Sequence, residues 1–582
     1  MTSSERDAIE QSPTERAAPS ARSGNWAVML AAIPPQRIAA LLLCTLFLLN
    51  LTSMFNKTIT YDEDIHYEFG YRLIEGEVTT PDEQRMPISA LNALPLWLLS
   101  GGSDERRQVP TTPVAVTVAR LPTVFASLLL GFFVYRFAVA LYGGRAGVLA
   151  LTLYTFSPNV LASSRLAGTD LYATAGILIA LYCLYGYLNR PTWGWLVATG
   201  ASLGVAQICK QTSLLLLPIF ALIGSGVWLL ARGESGRDMR PAAFQQGVKT
   251  WVAHLSVLGL LILAIVNAGY GFYGSFDPLG RYADSPGVVG EIAQLAPALP
   301  VPLPSVYVET FLRGASINQS GEGREEAYLF GEFSALGWWY YFPIALGLKV
   351  PLGFLALVGL AIASVVRERG SRLNRDLQLL IPVAFLFVFI SLFVTAQIGV
   401  RYLLPILPLL HVFIGRLAGD EPPHLPSHAA SHPTPAKPRW QGPAVGLSLF
   451  WFVVSSLSFH PHYLSYFNEL IGDRKNMYLY LADSNVDWGQ NGRYLDRYLA
   501  QHADEQISYA PTEPVAGRVV VGVNDLIGLE RERERYRWLR ENFEPVDHIA
   551  YSLLVFDVPV ERAALLRAEG QPMQAGENES SE

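Results

Sequence analysis

Residues 38–70 read IAALLLCTLFLLNLTSMFNKTITYDEDIHYEFG, an apolar run followed directly by three consecutive carboxylates and a histidine. An apolar run of about 17–25 residues is long enough to cross the roughly 30 Å hydrocarbon core of a bilayer. Acidic side chains are costly in hydrocarbon, so an acidic cluster just outside a membrane helix is either a solvated loop or a functional site. The function of the protein depends largely on which of the two it is.

The composition indicates that much of the chain lies in a membrane. Of 582 residues, 51% are hydrophobic and 16% are charged, whereas about 25% are charged in an ordinary soluble domain. The excess apolar surface must face lipid, which predicts an α-helical polytopic membrane protein with about 11–13 transmembrane helices. We place spans at residues 38–55, 118–141, 146–162, 171–188, 194–209, 212–231, 251–270, 343–366, 377–396, 401–418 and 442–459.

Basic and acidic loops alternate along the chain, and this alternation orients the predicted spans. Cytoplasmic loops carry an excess of Lys and Arg. The N-terminal tail carries Arg6, Arg16, Arg22 and Arg37, whereas the loop at 56–117 is acidic. With an odd number of spans, the C-terminus lies on the side opposite the N-terminus. We therefore expect a plasma (inner) membrane protein with a cytoplasmic N-terminus and an extracytoplasmic C-terminal domain.

The chain divides into four expected parts: a disordered cytoplasmic tail, a multispan module with two large outer loops, a soluble outer domain and a disordered acidic tail. In the outer domain, GRVVVGV (517–523) and HIAYSLLVFDV (548–558) predict strands, and ERERERYRWLRENF (530–543) predicts a helix. This mixture indicates a small α/β or α+β unit. The four parts cover residues 1–36, 37–459 (outer loops 56–117 and 271–342), 460–565 and 566–582.

Four basic residues break the orientation rule. Arg165, Lys210, Lys349 and Arg401 lie at or within the outer ends of predicted spans, where cations should be scarce. One interpretation is snorkelling, in which a long basic side chain reaches the headgroups from a helix end. The other is a site for the phosphate of a lipid-linked substrate, since Arg and Lys are the usual phosphate partners.

Asp170 begins the fourth predicted span on the same outer side. An acid at a helix N-terminus is stabilised by the helix dipole, so Asp170 is an ordinary capping residue in one interpretation. In the other, it converges with Asp62, Glu63 and Asp64 and supplies a general base and a charge that stabilises a sugar-transfer transition state. The same carboxylates could instead hold a divalent cation.

Several segments, taken in order along the chain, resemble those of one family of membrane glycosyltransferases. These are the GT-C fold enzymes that use polyprenyl-phosphate sugars (glycosyltransferase family 39, protein mannosyltransferase-like), and their bacterial group includes the aminoarabinose transferase that acts on lipid A. The segments are YDEDIHYEFG (61–70), RLAGTD (165–170), LKVPLG (348–353), IGVRYLLPILP (398–408), HPHYLSYFNELIG (460–472) and YLADSNVDWGQNGRYLDRYL (480–499).

The resemblance implies an enzyme that moves a hexose or pentose from a polyprenyl-phosphate donor to a glycan, lipid or protein acceptor outside the membrane. The family's first-loop acidic pair maps onto Asp62 and Glu63. Asp62 is expected to be the base that activates the acceptor hydroxyl, with Asp64 as the alternative because the DED repeat leaves the register ambiguous. Asp170 is expected to position acceptor or donor. The donor phosphate is expected to bind Arg165, Lys210, Lys349 and Arg401.

The other implied partner is membrane lipid, and no nucleic acid is expected. The chain has no G-x-x-x-x-G-K-[ST] string, which agrees with a donor whose sugar is already on a lipid phosphate. Metal dependence stays open. Some relatives place an acid of a metal site directly before a proline in the first outer loop, where this chain has Arg85 and Met86 before Pro87. We assign no cofactor, with His66 and Glu83 as candidate ligands if a divalent cation binds.

The string DSNVDWGQN (483–491) has two interpretations. Its Trp488, Asp and Asn side chains could bind a sugar ring and its hydroxyls. The alternative, which we favour, is a polar turn in which Asx side chains cap their own backbone.

Two other functions fit parts of the sequence. One is a different enzyme of the same fold, such as a protein O-mannosyltransferase. The second is a transporter or flippase of polyprenyl-linked glycans, although a transporter should place ionisable residues at mid-bilayer in broken, repeated helices. A further alternative is a non-catalytic scaffold, in which the acidic cluster is only a solvated loop.

Overall fold

The computed structural model describes residues 33–77, 86–101, 109–233, 247–320, 326–368, 373–419, 438–529 and 533–570. The predicted N-terminal tail up to residue 32, most of the linker after residue 419 and the tail after residue 570 lie outside these residues. In chain order, the helices are α1 (Pro35–Met54), α2 (Glu63–Ile74), α3 (Ala90–Ser100), α4 (Pro113–Tyr142), α5 (Gly144–Thr155), α6 (Pro158–Ser163), α7 (Asp170–Asn189), α8 (Trp193–Cys209), α9 (Leu216–Gly233), α10 (Val248–Gly269), α11 (Val288–Leu295), α12 (Ser305–Ser320), α13 (Tyr341–Lys349), α14 (Leu352–Arg367), α15 (Leu373–Phe393), α16 (Ile406–Ile414), α17 (Gln441–Leu457), α18 (Gly492–Gln501), α19 (Val523–Ile527), α20 (Arg537–Asn542) and α21 (Val560–Gly570). The strands are β1 (Ala327–Leu329), β2 (Glu332–Ser334), β3 (Ile507–Tyr509), β4 (Gly517–Gly522), β5 (Asp547–Ile549) and β6 (Leu553–Val558).

Each predicted span contains helix, but the helices differ in length. Among the described residues, five are long and apolar enough to cross a membrane, namely α1, α4, α7, α10 and α15. The pair α13 and α14 adds a sixth if it counts as one span bent by 111°. The bend lies at Pro351, which lacks the N–H needed to continue a helix. Shorter helices fill the other predicted spans, and the α-helical multi-pass prediction is confirmed.

Helix α7 lies inside the bundle, with most of its residues buried. Small residues allow its neighbour α8 to approach closely. A Cβ at Gly176 would lie 2.9 Å from the Cβ of Ala206, and one at Gly186 would lie 2.5 Å from the Trp195 ring. Such small residues are typical of helix contacts in membranes. The close packing fixes the outer ends of α7 and α8 beside each other.

The acidic string of the first outer loop forms helix α2. Asp62 precedes this helix, and two further carboxylates lie in its first turn, where the helix dipole favours negative charge. The buried rings of Tyr67 and Tyr71 pack against Ala93 and Leu96 of α3. This small apolar cluster holds α2 against the membrane module.

The C-terminal region carries a four-stranded sheet in the order β3-β4-β6-β5. Strands β3 and β4 are parallel, and β6 pairs antiparallel with both β4 and β5. The predicted strand at 517–523 corresponds to β4. The single strand predicted over 548–558 is instead the hairpin β5–β6, because Ala550 and Tyr551 have φ of 53° and 69° and turn the chain. The predicted helix at 530–543 is shorter, since only α20 is helical among its described residues.

Candidate active site

Two acidic and two basic side chains meet at one end of the helix bundle. Arg401 Nη1 donates to Asp62 Oδ2 at 2.7 Å and lies 4.0 Å from Asp170 Oδ2. Lys210 Nζ donates to Asp170 Oδ1 at 2.5 Å. The exposed fraction of these side chains runs from 14% to 28%, so they are largely desolvated yet reachable. We call these four residues the charge cluster.

Each member of the charge cluster lies where a regular element begins or ends. Asp62 precedes α2, Asp170 is the first residue of α7, and Lys210 directly follows α8. Arg401 lies in a 3-10 turn (Val400–Leu403) between α15 and α16. Four elements that are distant in sequence therefore present their charges to one point.

Aromatic rings border the charge cluster. The guanidinium carbon of Arg401 lies 4.1 Å from the centroid of the Trp488 ring. Lys210 Nζ lies 5.1 Å from the centroid of the Tyr402 ring. Both distances are within the range of cation–π attraction. Because Trp488 belongs to the C-terminal region, the site combines residues from distant parts of the chain.

Two cavities meet at Asp170 and Arg401, which line both. One, the outer cleft, encloses about 550 Å³ and the other, the apolar groove, about 500 Å³, both including space that is open to the surroundings. The outer cleft is also lined by Asn159, Ser163, Lys349, Ser484 and Trp488. The apolar groove is also lined by Ala173, Ile177, Lys210, Leu386, Phe389 and Ile390.

Glu63 lies away from both cavities and is only 2% exposed. Arg120 donates to it twice, from Nε at 2.8 Å and Nη2 at 2.5 Å. The backbone N–H groups of Thr60 and Ala167 also donate to its carboxylate. Burial acts to raise the pKa of Glu63, but Arg120 and these hydrogen bonds overcome it and hold the pKa below its ordinary value. The structure therefore separates Glu63 from the charge cluster.

Arg165 and Lys349, predicted to hold the phosphate, are bound to backbone carbonyl groups. Arg165 donates to the carbonyl oxygens of Ser53 and Pro461. Lys349 Nζ donates to Leu464 O at 2.8 Å and Asn485 O at 2.5 Å. Both side chains tie the membrane module to the C-terminal region, and only Lys349 also lines the outer cleft.

Asp64 is partly exposed on α2, and its Oδ1 accepts from the N–H of Ile65 at 2.6 Å. Burial raises its pKa, and the nearby charge of Asp62 adds to the increase. The structure gives Asp64 no ion pair with the cations of the charge cluster. Of the two candidate bases, Asp62 is therefore the one in contact with Arg401.

The candidate metal ligands do not form a cluster in the part of the chain that is described. His66 is buried, and its Nδ1 lies 3.2 Å from the Ser89 hydroxyl. Burial lowers the pKa of His66. Glu83 lies outside the described residues. Within those residues, no group of three or more His, Cys, Asp or Glu side chains is arranged to hold a metal ion.

Two residues of this region were not among the predicted site residues. Arg120 lies within the predicted span 118–141, and an arginine inside a span is itself a signal of a buried partner; that partner is Glu63. Trp488 lies in the string for which a polar turn was the favoured interpretation. It does lie in a turn, but its ring reaches Arg401.

Residues 114–237 match the family model of dolichyl-phosphate-mannose-protein mannosyltransferases. The matched segment is about a fifth of the chain and includes Arg120, Asp170 and Lys210. It confirms, for these residues, the resemblance drawn from the sequence segments. No curated protein sequence matches the chain.

Similar solved structures include ArnT from Cupriavidus metallidurans bound to undecaprenyl phosphate. It is 12% identical to this chain, with a TM-score of 0.44, over 92% of this chain and 98% of ArnT. The oligosaccharyltransferase of Archaeoglobus fulgidus in its apo form is 13% identical, with a TM-score of 0.45. That alignment covers 80% of this chain and 59% of the archaeal protein.

Proposed function

We propose that the protein is an integral-membrane glycosyltransferase that moves a sugar from a polyprenyl-phosphate donor to a hydroxyl acceptor at the outer face of the plasma membrane. One observation carries this proposal. Two cations, Lys210 and Arg401, lie where an apolar groove between membrane helices meets an outer cleft, beside two carboxylates. A lipid phosphate that bears a sugar would be accommodated by this combination of an apolar groove, cations and a second cavity lined by both polar and apolar side chains.

The donor's prenyl chain fits the chemistry of the apolar groove. Side chains of α7 and α15, including Ile177 and Phe389, line this groove, and burial of hydrocarbon there is favourable. The phosphate would then lie beside Lys210 and Arg401, which suit anionic oxygens. Arg401 Nε is buried and has no hydrogen-bond partner among the described residues. An unsatisfied buried N–H is costly, and a phosphate oxygen would supply its acceptor.

The proposed reaction exchanges one bond at the anomeric carbon of the sugar. The acceptor oxygen bonds to that carbon while the bond to the donor phosphate oxygen breaks, and its electron pair leaves with the polyprenyl phosphate. Asp62 takes the acceptor proton as general base. Lys210 and Arg401 neutralise the charge that develops on the phosphate. Attack opposite the leaving phosphate inverts the anomeric configuration.

Asp170 and Glu63 have different proposed roles. Asp170 holds Lys210 and lies beside Arg401, so it orients both cations toward the phosphate. Glu63 is bound by Arg120 and two backbone N–H groups, and we assign it the structural role of anchoring the start of α2. In the free enzyme Arg401 neutralises Asp62. When the donor phosphate attracts Arg401, an oxygen of Asp62 becomes free to accept the proton.

A purified transferase assay tests this proposal. Sugar transfer from a synthetic polyprenyl-phosphate sugar is followed in detergent for Asp62→Asn, Asp64→Asn and the wild-type protein. We expect Asp62→Asn to lower kcat by about 10²–10⁴-fold, the usual contribution of a general base, and Asp64→Asn to stay within about threefold of wild type. Unchanged turnover in Asp62→Asn would remove the base assignment. An inactive wild type with every donor tried would remove the transferase assignment.

A protein acceptor is a second candidate, favoured by the family whose model matches residues 114–237. That family's description names mannose as the sugar and protein as the acceptor. Intact-mass measurement of secreted proteins and of envelope glycans from a deletion strain separates the acceptor classes. Loss of one hexose from a protein supports the protein acceptor, and loss of a sugar from a glycan or lipid supports the envelope acceptor.

A further inference from the structure

The segment Asp483–Asn491 contacts Arg401 and the residue that precedes Asp62, its ion-pair partner. On one side, the Trp488 ring stacks on the Arg401 guanidinium at 4.1 Å. On the other, the Trp488 carbonyl oxygen accepts from the N–H of Tyr61 at 3.0 Å. Tyr61 directly precedes Asp62. One residue thus touches the loop that carries the carboxylate and the side chain that carries the cation.

Hydrogen bonds on either side of Trp488 fix its position against the Asp62 loop. The N–H of Thr58 donates to Gln490 O at 3.1 Å, and the Thr58 hydroxyl donates to Gly489 O at 2.6 Å. The Trp488 N–H donates to Gln490 Oε1 at 2.6 Å. Residues 58–61 and 488–490 therefore form one hydrogen-bonded unit.

A second set of hydrogen bonds joins the same segment to the Arg401 turn. Asn485 Oδ1 accepts from the N–H of Val400 at 3.0 Å, and the Ser484 hydroxyl donates to Ile398 O at 2.5 Å. Between them lies Gly399, where a Cβ would lie only 2.3 Å from Ser484 Oγ. The turn that carries Arg401 is thus held by the outer region at the residues on either side of Gly399.

We propose that Trp488 is a positioning residue of the transferase site, holding the Arg401 guanidinium between Asp62 and Asp170. This inference rests on the proposed function. The inference also implies that the C-terminal region, which carries Trp488, contributes to the function of the site. The indole face restricts Arg401 on one side, so the guanidinium can transfer hydrogen bonds from Asp62 to the donor phosphate without leaving the ring.

The Trp488→Ala variant tests the inference by steady-state kinetics with a polyprenyl-phosphate sugar. The Arg401 side chain is 16% exposed, and a cation–π contact between the exposed and desolvated limits is worth roughly a tenfold change in an equilibrium constant. We therefore expect the donor KM to rise about tenfold and kcat to fall, with Trp488→Phe restoring most of the loss because its ring keeps the stacked face. The matched control is Trp339→Ala, an outer-face tryptophan that is 66% exposed, which should keep wild-type values.

The donor KM separates positioning from mere support of the fold. If Trp488 only stabilised the fold, Trp488→Ala would lower the fraction of active molecules and hence kcat, but the donor KM would not change. In an Arg401→Lys background, Trp488→Ala should cost much less than tenfold in donor KM, since the planar group it holds is gone. An unchanged donor KM in Trp488→Ala, with active wild type, overturns the positioning role alone. An inactive wild type overturns the proposed function and this inference together.

Discussion

The three consecutive carboxylates Asp62, Glu63 and Asp64 have three different environments. Asp62 pairs with Arg401, Glu63 is enclosed by Arg120 and backbone N–H groups, and Asp64 is partly exposed. Successive residues at a helix start point in directions about 100° apart, because a helix has 3.6 residues per turn. All three side chains carry a carboxylate group, and only the partners of that group distinguish them.

The Glu63–Arg120 pair makes a prediction about stability. Glu63→Gln leaves Arg120 charged and buried without its counter-ion, and breaking a buried pair in this way costs about 3–5 kcal/mol. We expect a large fall in the melting temperature of the purified protein in detergent, and less folded protein in membranes. The measurement is fluorescence-detected size exclusion after heating.

The matched control is Glu68→Gln, which removes the partner of Arg72 on the same helix. Those two side chains are 53% and 47% exposed, and exposed pairs contribute about 0–1 kcal/mol. Its melting temperature should stay close to that of wild type. Equal melting temperatures for the Glu63 and Glu68 variants would contradict the structural role of Glu63.

At the scale of helices, α14 and α17 approach closely at one glycine. A Cβ on Gly353 would lie 2.2 Å from the carbonyl oxygen of Ser448 and 2.8 Å from the backbone N of Phe452. These are backbone atoms, so the helices themselves would have to separate. Gly353 lies two residues after Pro351, where the chain bends between α13 and α14.

Gly353→Ala should therefore destabilise the bundle. Forcing an extra methyl into a packed contact costs about 1–3 kcal/mol, and we expect a lower melting temperature together with reduced transferase activity. Gly359→Ala in the same helix is the control, since a Cβ there has no heavy atom within 4 Å among the described residues. That variant should be neutral or slightly stabilised, because alanine favours the helix. A neutral Gly353→Ala would show that the helices can separate at no cost.

At the scale of the whole molecule, a buried lysine joins the membrane module to the C-terminal region. Lys57, just after α1, is 2% exposed. Its Nζ lies 2.7 Å from His462 Nδ1 and donates to Asn491 Oδ1 at 2.5 Å. Burial lowers the pKa of Lys57 well below its ordinary value, and the charges of Arg165 and Arg120 lower it further. The junction therefore concentrates basic groups.

Because His462 lies in this junction, we predict that the free energy of unfolding decreases in acid. Burial lowers the pKa of His462 from 6.5 to about 2, and the charges of Lys57, Arg165 and His548 act in the same direction. Between these values the unfolded chain binds the proton more tightly than the folded one, so stability is lost as pH falls below about 6.5, by at most about 1.4 kcal/mol per pH unit. His462→Gln should reduce the drop in melting temperature between pH 7.5 and pH 5.5.

The control for this prediction is His502→Gln, in the same region, whose ring contacts the Tyr498 carbonyl group instead of Lys57. It should show the wild-type dependence of melting temperature on pH. If His462→Gln and wild type lose the same number of degrees in acid, His462 is not the group responsible.

The sequence by itself determined the membrane class, the positions of the helical segments and most of the charged residues that meet in the charge cluster. These follow from local properties, because the length of an apolar run and the charge beside it do not depend on distant residues. Asp62, Asp170, Lys210 and Arg401 could be selected in this way, and the structure does bring them together.

Only the tertiary structure decided which charges face a cavity and which are neutralised. Glu63 and Arg165 satisfy the same sequence criteria as Asp62 and Arg401, yet partners far along the chain, Arg120 and Pro461, enclose them. Trp488 reaches the site because the outer region folds back onto the first loop. Whether a charged side chain is buried and paired depends on contacts between distant segments. Burial and pairing in turn determine whether the charge supports the fold or remains available to a substrate.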